Sequence, residues 1–139
     1  LVVHAADGLD EISLGGDTYV AELREGDVSE YTLNPQQYGL DNCASEKLVV
    51  HNIDEAKAML HAVFDNQDGP AKDIVTLNAG AAIYVGGAAS TLEAGVAKAR
   101  LAIESGAAKS KLEALVAFSN DFLKTLNAED AEDAEVERK

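Results

Sequence analysis

Residues 69–87 of this 139-residue chain read GPAKDIVTLNAGAAIYVGG and form its most uniformly apolar helical segment. Pro70 stands where the first turn of a helix would begin, and there the missing N–H donor of proline costs nothing. From residue 71 to about residue 85 apolar side chains fall on nearly every face, and two glycines then end the segment. A helix without a polar face is usually buried at the centre of a domain. We therefore predict a central helix here, with the other elements packed around it.

Three more helices are predicted around this one, each with an apolar stripe on one side. Asn52 and Glu55 have the spacing of a helix-capping box, in which the side chain of each residue binds the main chain of the other. Ser90 and Glu93 repeat that spacing and open the helix that follows the central one. The last helix is predicted over about residues 108–126.

The first third of the chain has the alternating pattern of β-strands. Residues 18–23 (TYVAEL) and 28–33 (VSEYTL) alternate apolar and polar side chains, and Gly26 lies in the short connection between them. This pattern predicts a β-hairpin. Residues 35–46 begin with a proline and are predicted to form a loop with at most one helical turn. Residues 47–50 (KLVV) are predicted to be a short strand or an extended lead into the next helix.

Strands first and helices later indicate one α/β unit, in which a small mixed sheet containing a hairpin is packed by about four helices. We assign residues 1–127 to this unit. Residues 128–139, AEDAEDAEVERK, carry six acids and almost nothing to bury. We predict a disordered acidic tail or a frayed helix end there.

The charge balance excludes several classes of partner. The chain has 25 acidic and 11 basic residues, which gives a net charge of −14. Nucleic-acid binding needs a basic surface, and anionic membranes repel such a protein, so we expect neither partner. Its one cysteine, Cys43, cannot form an internal disulfide and is consistent with a reducing cytosol, so we expect a cytoplasmic protein.

The run DGLDE, Asp7 to Glu11, follows the apolar strand-like opening of the chain. Asp-Gly favours a turn, because glycine accepts positive φ at little cost. Asp10 and Glu11 then stand side by side at a strand end, where paired carboxylates suit a hard divalent cation. Asp7 either joins them as a third ligand or caps the turn through its own backbone. On spacing alone a solvated acidic turn is equally consistent.

Three stretches of this sequence resemble the C-terminal part of anthranilate phosphoribosyltransferases. They are the DGLDE turn, the NPQQYGL stretch at residues 34–40 and the helix GPAKDIVTLNAGAAIYV at residues 69–85, and the resemblance extends over roughly residues 1–122. The resemblance implies part of a larger α/β domain of nucleoside-phosphorylase-like architecture. It also implies a Mg²⁺ site at Asp10 and Glu11, with phosphoribosyl pyrophosphate and anthranilate as substrates.

One departure from the family pattern is visible after the turn. Gly16-Asp17-Thr18 stands where the family usually has Gly-Pro-Thr, and losing that proline frees φ and restores an N–H donor without removing a ligand. The glycine-rich phosphate loop and the anthranilate contacts of the family belong upstream of DGLDE. We therefore expect a C-terminal piece of a longer enzyme that is inactive alone. We assign no catalytic residue to it, and we expect the parent to form a homodimer through its N-terminal region.

Two alternatives from other classes stay open at this point. In the first alternative, the chain is a stand-alone acidic module of related fold that binds a metal or a protein. In the second, it is part of a nucleoside phosphorylase, an enzyme that also acts at ribose C1. Among single residues, His4 is interpreted as a hydrogen-bonded structural residue, and Asn78 as a structural residue that braces a neighbouring loop. The hydroxyls of Ser13 and Thr18 are candidates for helping a phosphate site.

Overall fold

The computed structural model describes the backbone of residues 1–136 and the side chains of residues 1–122. A three-stranded sheet is followed by four helices, which confirms the predicted α/β class. The elements are β1 (Val2–Ala5), β2 (Thr18–Arg24), β3 (Asp27–Leu33), α1 (Ile53–Phe64), α2 (Pro70–Val85), α3 (Leu92–Glu104) and α4 (Ala107–Val136), with 3-10 turns at Pro35–Tyr38 and Ser45–Leu48.

The strands follow one another in the order β1-β2-β3, and both pairs are antiparallel, so the sheet in the described part of the chain is not the mixed sheet that was predicted. The predicted hairpin is present, and Arg24 pairs with Asp27 across its two-residue connection. Both connecting residues have positive φ, 54° at Glu25 and 95° at Gly26, as in the tight turns whose twist matches that of the strands. On β2 the residues that face the core are Thr18 and Val20.

Helix α2 packs against both α1 and α3, which confirms its predicted central position. The crossing with α3 is unusually close because glycines face each other there. A Cβ added at Gly80 would lie 2.6 Å from Cα of Val96, and one added at Gly95 would overlap the carbonyl oxygen of Gly80. One side of α2 nevertheless stays open, since Val75 is 42% exposed.

Three boundaries differ from the sequence predictions. The N-cap of α3 is Thr91, one residue after Ser90, because the Thr91 backbone is extended and its hydroxyl accepts from the N–H of Ala94 at 3.2 Å. For residues 47–50 the two predictions are a short strand and an extended lead into α1. The structure has a 3-10 turn at residues 45–48 in place of a strand, and Val49 after it is extended. Helix α4 continues to Val136, past the predicted end at residue 126.

Residues 128–136 of the predicted acidic tail thus belong to helix α4. The side chains of the tail lie outside the described residues. The division of the chain at residues 127 and 128 stays a prediction. Within residues 1–136, no helix is both long enough and apolar enough to cross a membrane.

A hydrogen-bonded cluster ties the sheet to the C-terminal half of α2. The carboxylate of Glu22 on β2 accepts from the hydroxyls of Tyr31 on β3 at 2.8 Å and Tyr84 on α2 at 2.5 Å. The guanidinium of Arg24 donates to the Tyr84 hydroxyl at 3.2 Å. The Tyr84 hydrogen bond, followed by that of Tyr31, holds the pKa of Glu22 below its ordinary value.

This cluster predicts an acid-dependent loss of stability. A carboxyl whose pKa is lowered by folding stabilises the native state above its unfolded pKa, and that contribution disappears as the pH falls through the folded value. Glu22→Gln is therefore expected to lower the free energy of unfolding by up to about 1.5 kcal/mol near neutral pH. The deficit should shrink below about pH 4.

Urea unfolding of the chain at several pH values measures this difference. Glu30→Gln is the matched control, because Glu30 is exposed on β3 and makes no side-chain hydrogen bond among the described residues. A deficit of Glu22→Gln that is the same at neutral and acid pH would contradict the assignment to the charge of Glu22.

Candidate metal site in the DGLDE loop

The loop that joins β1 to β2 contains the DGLDE run and is closed on itself by main-chain hydrogen bonds. The N–H of Ala5 donates to the carbonyl of Leu9 at 3.1 Å, and the N–H of Gly8 donates back to Ala5 at 3.0 Å. At the base of the loop, the N–H of Ala6 donates to the carbonyl of Asp17 at 2.8 Å. The predicted Asp-Gly turn is present, with φ of 90° at Gly8.

Asp7 caps this loop with both of its carboxylate oxygens. Oδ1 accepts from the N–H of Leu9 at 3.2 Å, and Oδ2 accepts from the hydroxyl of Ser13 at 2.5 Å. The Ser13 hydrogen bond, followed by that of Leu9, lowers the pKa of Asp7. A side chain at Gly15 would overlap Oδ2 of Asp7, so glycine lets the loop fold back over the carboxylate. Of the two roles considered for Asp7, these contacts favour capping.

The two loop hydroxyls are also used within the loop. Ser13 is 3% exposed, and its Oγ accepts from the N–H of Gly15 at 2.8 Å as well as donating to Asp7. Thr18 is fully buried, and its Oγ1 accepts from the N–H of Ser13 at 3.2 Å. These contacts make both hydroxyls part of the loop framework, and they support no phosphate-binding role for them.

Asn78 on α2 reaches the loop directly after Glu11. Its Oδ1 accepts from the N–H of Ile12 at 3.0 Å, and its Nδ2 donates to the carbonyl of Ile12 at 2.8 Å. Nδ2 also donates to the carbonyl of Ile74 at 3.0 Å, one turn earlier on α2. The prediction that Asn78 braces a neighbouring loop is confirmed.

Two further contacts hold the second half of the loop. Nδ2 of Asn34 donates to the carboxylate of Asp17 at 2.8 Å, and the N–H of Cys43 donates to the carbonyl of Leu14 at 2.9 Å. Sequence reasoning missed these contacts, because it interpreted Asn34 only as a break before proline. Together with Asn78 they bring all three stretches that carry the family resemblance to one loop.

Two apolar side chains of the same loop anchor it in the hydrophobic core. Ile12 and Leu14 are each 1% exposed and lie in the main core cluster with Leu77 of α2. The residues just before them, Asp10 and Glu11, are exposed. The loop therefore has a buried, hydrogen-bonded framework and presents these two carboxylates at its surface.

Asp10 and Glu11 fit the requirements of Mg²⁺. Within residues 1–122 neither side chain has a hydrogen bond or an ion pair, so both carboxylates are free to act as ligands. Mg²⁺ prefers oxygen ligands and is commonly held by one or two carboxylates, with waters and substrate phosphates completing its shell. No group of three or more His, Cys, Asp or Glu residues suited to a metal occurs in the described part of the chain. Within the described residues, Asp10 and Glu11 therefore belong to no closed cage of protein ligands.

A groove of about 800 Å³ lies beside the loop, and both Glu11 and Asn78 line it. Its other walls are mostly apolar and come from α1, α2 and the segment before α1. The large apolar residues of the groove with more than a third of their surface exposed are Val49, Val50, Leu60 and Val75. Exposed apolar patches of this kind mark surfaces that contact a protein, a membrane or a ligand.

The histidines do not join this site. His4 is exposed on β1, opposite Tyr19, and makes no side-chain hydrogen bond among the described residues. The interpretation of His4 as a hydrogen-bonded structural residue is therefore wrong. His51 precedes α1, and His61 lies in its last turn.

Curated relatives of this chain carry one name over most of its length. The anthranilate phosphoribosyltransferase of Thiobacillus denitrificans is 56% identical over 119 residues, which are 86% of this chain and 35% of the relative. That of Nitrosomonas eutropha is 53% identical over 122 residues, or 88% of this chain and 36% of the relative. The chain therefore spans about a third of the length of these relatives.

Solved structures give the same result for the fold. The anthranilate phosphoribosyltransferase of Thermus thermophilus superposes with a TM-score of 0.76 at 37% identity, covering 84% of this chain and 34% of that one. The Saccharomyces cerevisiae enzyme in complex with PRPP and Mg has a TM-score of 0.70 at 24% identity and shows the fold alone. It covers 80% of this chain and 32% of that one.

Residues 1–109 match the a/b domain of the glycosyl transferase family, and this match includes the DGLDE loop, Asn34 and Asn78. With the relatives above and a loop built from all three family stretches, the chain belongs to the glycosyl transferase family and contains part of its a/b domain.

Proposed function

We propose that this chain is the C-terminal part of an anthranilate phosphoribosyltransferase, in which Asp10 and Glu11 bind the Mg²⁺ that accompanies phosphoribosyl pyrophosphate. The enzyme transfers the phosphoribosyl group to the amine of anthranilate in tryptophan biosynthesis. The observation that carries the proposal is the loop that contains DGLDE, in which Ile12, Ser13, Leu14 and Thr18 are buried while the unpaired carboxylates of Asp10 and Glu11 are exposed. The relatives that are 56% and 53% identical, both named anthranilate phosphoribosyltransferase, support the choice of substrates.

The role of this chain in the reaction is electrostatic. The bond from ribose C1 to pyrophosphate breaks through an oxocarbenium-like state, and the departing group gains negative charge. Mg²⁺ at the carboxylates would supply charge stabilisation to pyrophosphate. Asp10 and Glu11 hold and orient that ion, and the loop framework keeps them in place. The anthranilate amine is a neutral nucleophile near neutral pH, so this chain need not provide a general base.

The remaining two thirds of the enzyme are proposed to cover the apolar groove and to provide the substrate contacts. Support comes from the exposed apolar residues of the groove and from the length of the relatives. Under this proposal the chain alone is inactive. The parent enzyme is a cytoplasmic homodimer that dimerises through its N-terminal region, and residues 1–127 belong to its catalytic domain.

A hybrid enzyme tests this function directly. It consists of the Thiobacillus denitrificans relative with its matching 119-residue segment replaced by this entire chain. We expect the hybrid to convert anthranilate and phosphoribosyl pyrophosphate with a requirement for Mg²⁺, and the chain alone to give no turnover. The loss of anthranilate fluorescence measures the rate.

The matched control is the relative truncated before that segment, which should also be inactive. A folded hybrid without activity would contradict the proposal and favour the stand-alone acidic module. In that case the short chain should bind a divalent metal or a protein partner by itself.

A further inference from the structure

Asn78 lies 66 residues from Ile12 in sequence, yet it is the side chain that holds the backbone next to Glu11. Its amide binds the N–H and the carbonyl of the same residue, at 3.0 and 2.8 Å. The N–H belongs to the peptide plane between residues 11 and 12, and the carbonyl belongs to the next plane. One side chain therefore fixes the peptide planes on both sides of Ile12.

This contact holds the backbone point from which the Glu11 side chain extends. The peptide group between residues 11 and 12 is planar and includes Cα of Glu11, so a side chain that holds this plane also holds that Cα. Asn78 is itself anchored to Ile74 on α2, and it lines the same groove as Glu11. The position of a central helix thereby affects a carboxylate that has no hydrogen bond or ion pair of its own among residues 1–122.

We infer that Asn78 is a positioning residue for Mg²⁺, which it serves by orienting the Glu11 carboxylate through Ile12. This inference rests on the proposed function, since it assumes that Asp10 and Glu11 bind the metal. Residues that orient metal ligands affect affinity when they are removed, typically by about 10- to 100-fold. A merely structural residue would change stability and leave the metal requirement unaltered.

The test uses Asn78→Leu in the hybrid enzyme, because leucine has the same branched shape and removes all three hydrogen bonds of the amide. We expect the free Mg²⁺ concentration at half-maximal activity to rise about 10- to 100-fold. The KM for anthranilate should stay unchanged, since anthranilate contacts are proposed to lie upstream. Ile103→Ala on α3 is the control, because Ile103 is buried but has no hydrogen bond to the loop. It should lower stability without moving the Mg²⁺ requirement.

Asn78→Ser is the second variant, and it keeps the test decisive if the leucine variant does not fold. Serine keeps a hydroxyl but is too short to bind both sides of Ile12, so the same rise in the Mg²⁺ requirement is expected. An unchanged requirement in the folded Asn78 variant, with a raised one in Asp10→Ala, would overturn the role of Asn78 and leave the metal site intact. An unchanged requirement in all three variants would overturn both the role of Asn78 and the proposed metal site.

Discussion

Replacing both Asp10 and Glu11 with alanine in the hybrid enzyme is expected to lower kcat/KM by about 100- to 1,000-fold, the range found when a preorganised charge-stabilising group is removed. Both residues are exposed, and neither has a side-chain hydrogen bond or ion pair among residues 1–122 that the substitution would remove. The loop framework of Asp7, Ser13 and Asn78 remains in the double variant. The loss should therefore appear in catalysis and not in folding.

The reaction rate measured across a range of Mg²⁺ concentrations gives the decisive reading. The double variant should need far more Mg²⁺, and its remaining activity should respond only weakly to added metal. The pair Asp10→Asn with Glu11→Gln should behave in the same way, because it keeps the shape of the side chains and removes their charge.

The matched control removes two carboxylates elsewhere, with Glu30→Gln on β3 and Glu104→Gln at the end of α3, both exposed. This control changes the net charge of the chain, which is −14, by the same two units as the replacement of Asp10 and Glu11. A Mg²⁺ response of the double variant equal to that of this control would remove Asp10 and Glu11 from the metal site.

Gly95→Ala is expected to destabilise the chain by forcing apart the two helices that cross at Gly80 and Gly95. The new Cβ would overlap the carbonyl oxygen of Gly80, and its next neighbours include the main-chain N of Tyr84 at 3.4 Å. Main-chain atoms cannot move aside by changing rotamer, so α2 and α3 must separate. Overpacking of this kind costs about 1–3 kcal/mol and occasionally more.

Alanine also favours the helix over glycine by about 1 kcal/mol, which offsets part of the overpacking cost. Because the clash is with main-chain atoms, we take the upper end of the overpacking range, about 3 kcal/mol, and expect a net loss of about 2 kcal/mol in the free energy of unfolding. Chemical denaturation of the chain, followed by circular dichroism, measures this loss.

Gly86→Ala is the matched control, because the backbone of Gly86 has φ of −71° and an added Cβ would meet nothing closer than 3.2 Å. Its effect should be clearly smaller than that of Gly95→Ala, because a Cβ 3.2 Å from the carbonyl oxygen of Ala82 requires a shift of only a few tenths of an ångström. Equal losses for Gly95→Ala and Gly86→Ala would mean that α2 and α3 are not held as closely as described.

Much of the fold follows from short-range patterns in the sequence. The hairpin was predictable because alternation and the Glu25-Gly26 turn act within a few residues, and α2 because its apolar character is continuous. The cap of α1 was predictable for the same reason, since Asn52 accepts from the N–H of Glu55 at 2.9 Å. The cap of α3 was misplaced by one residue because Ser90 and Thr91 are both good capping residues, and spacing alone did not separate them.

The candidate site was predictable only in part. The sequence by itself determined that Asp10 and Glu11 adjoin a turn at a strand end, and its likeness to a family indicated Mg²⁺. Only the tertiary structure decided that Asn78 fixes Ile12 and that Asp7 caps the loop with both oxygens. The physical reason is range: turn and helix preferences depend on neighbouring residues, whereas a hydrogen bond across 66 residues exists only when the core has brought α2 against the loop.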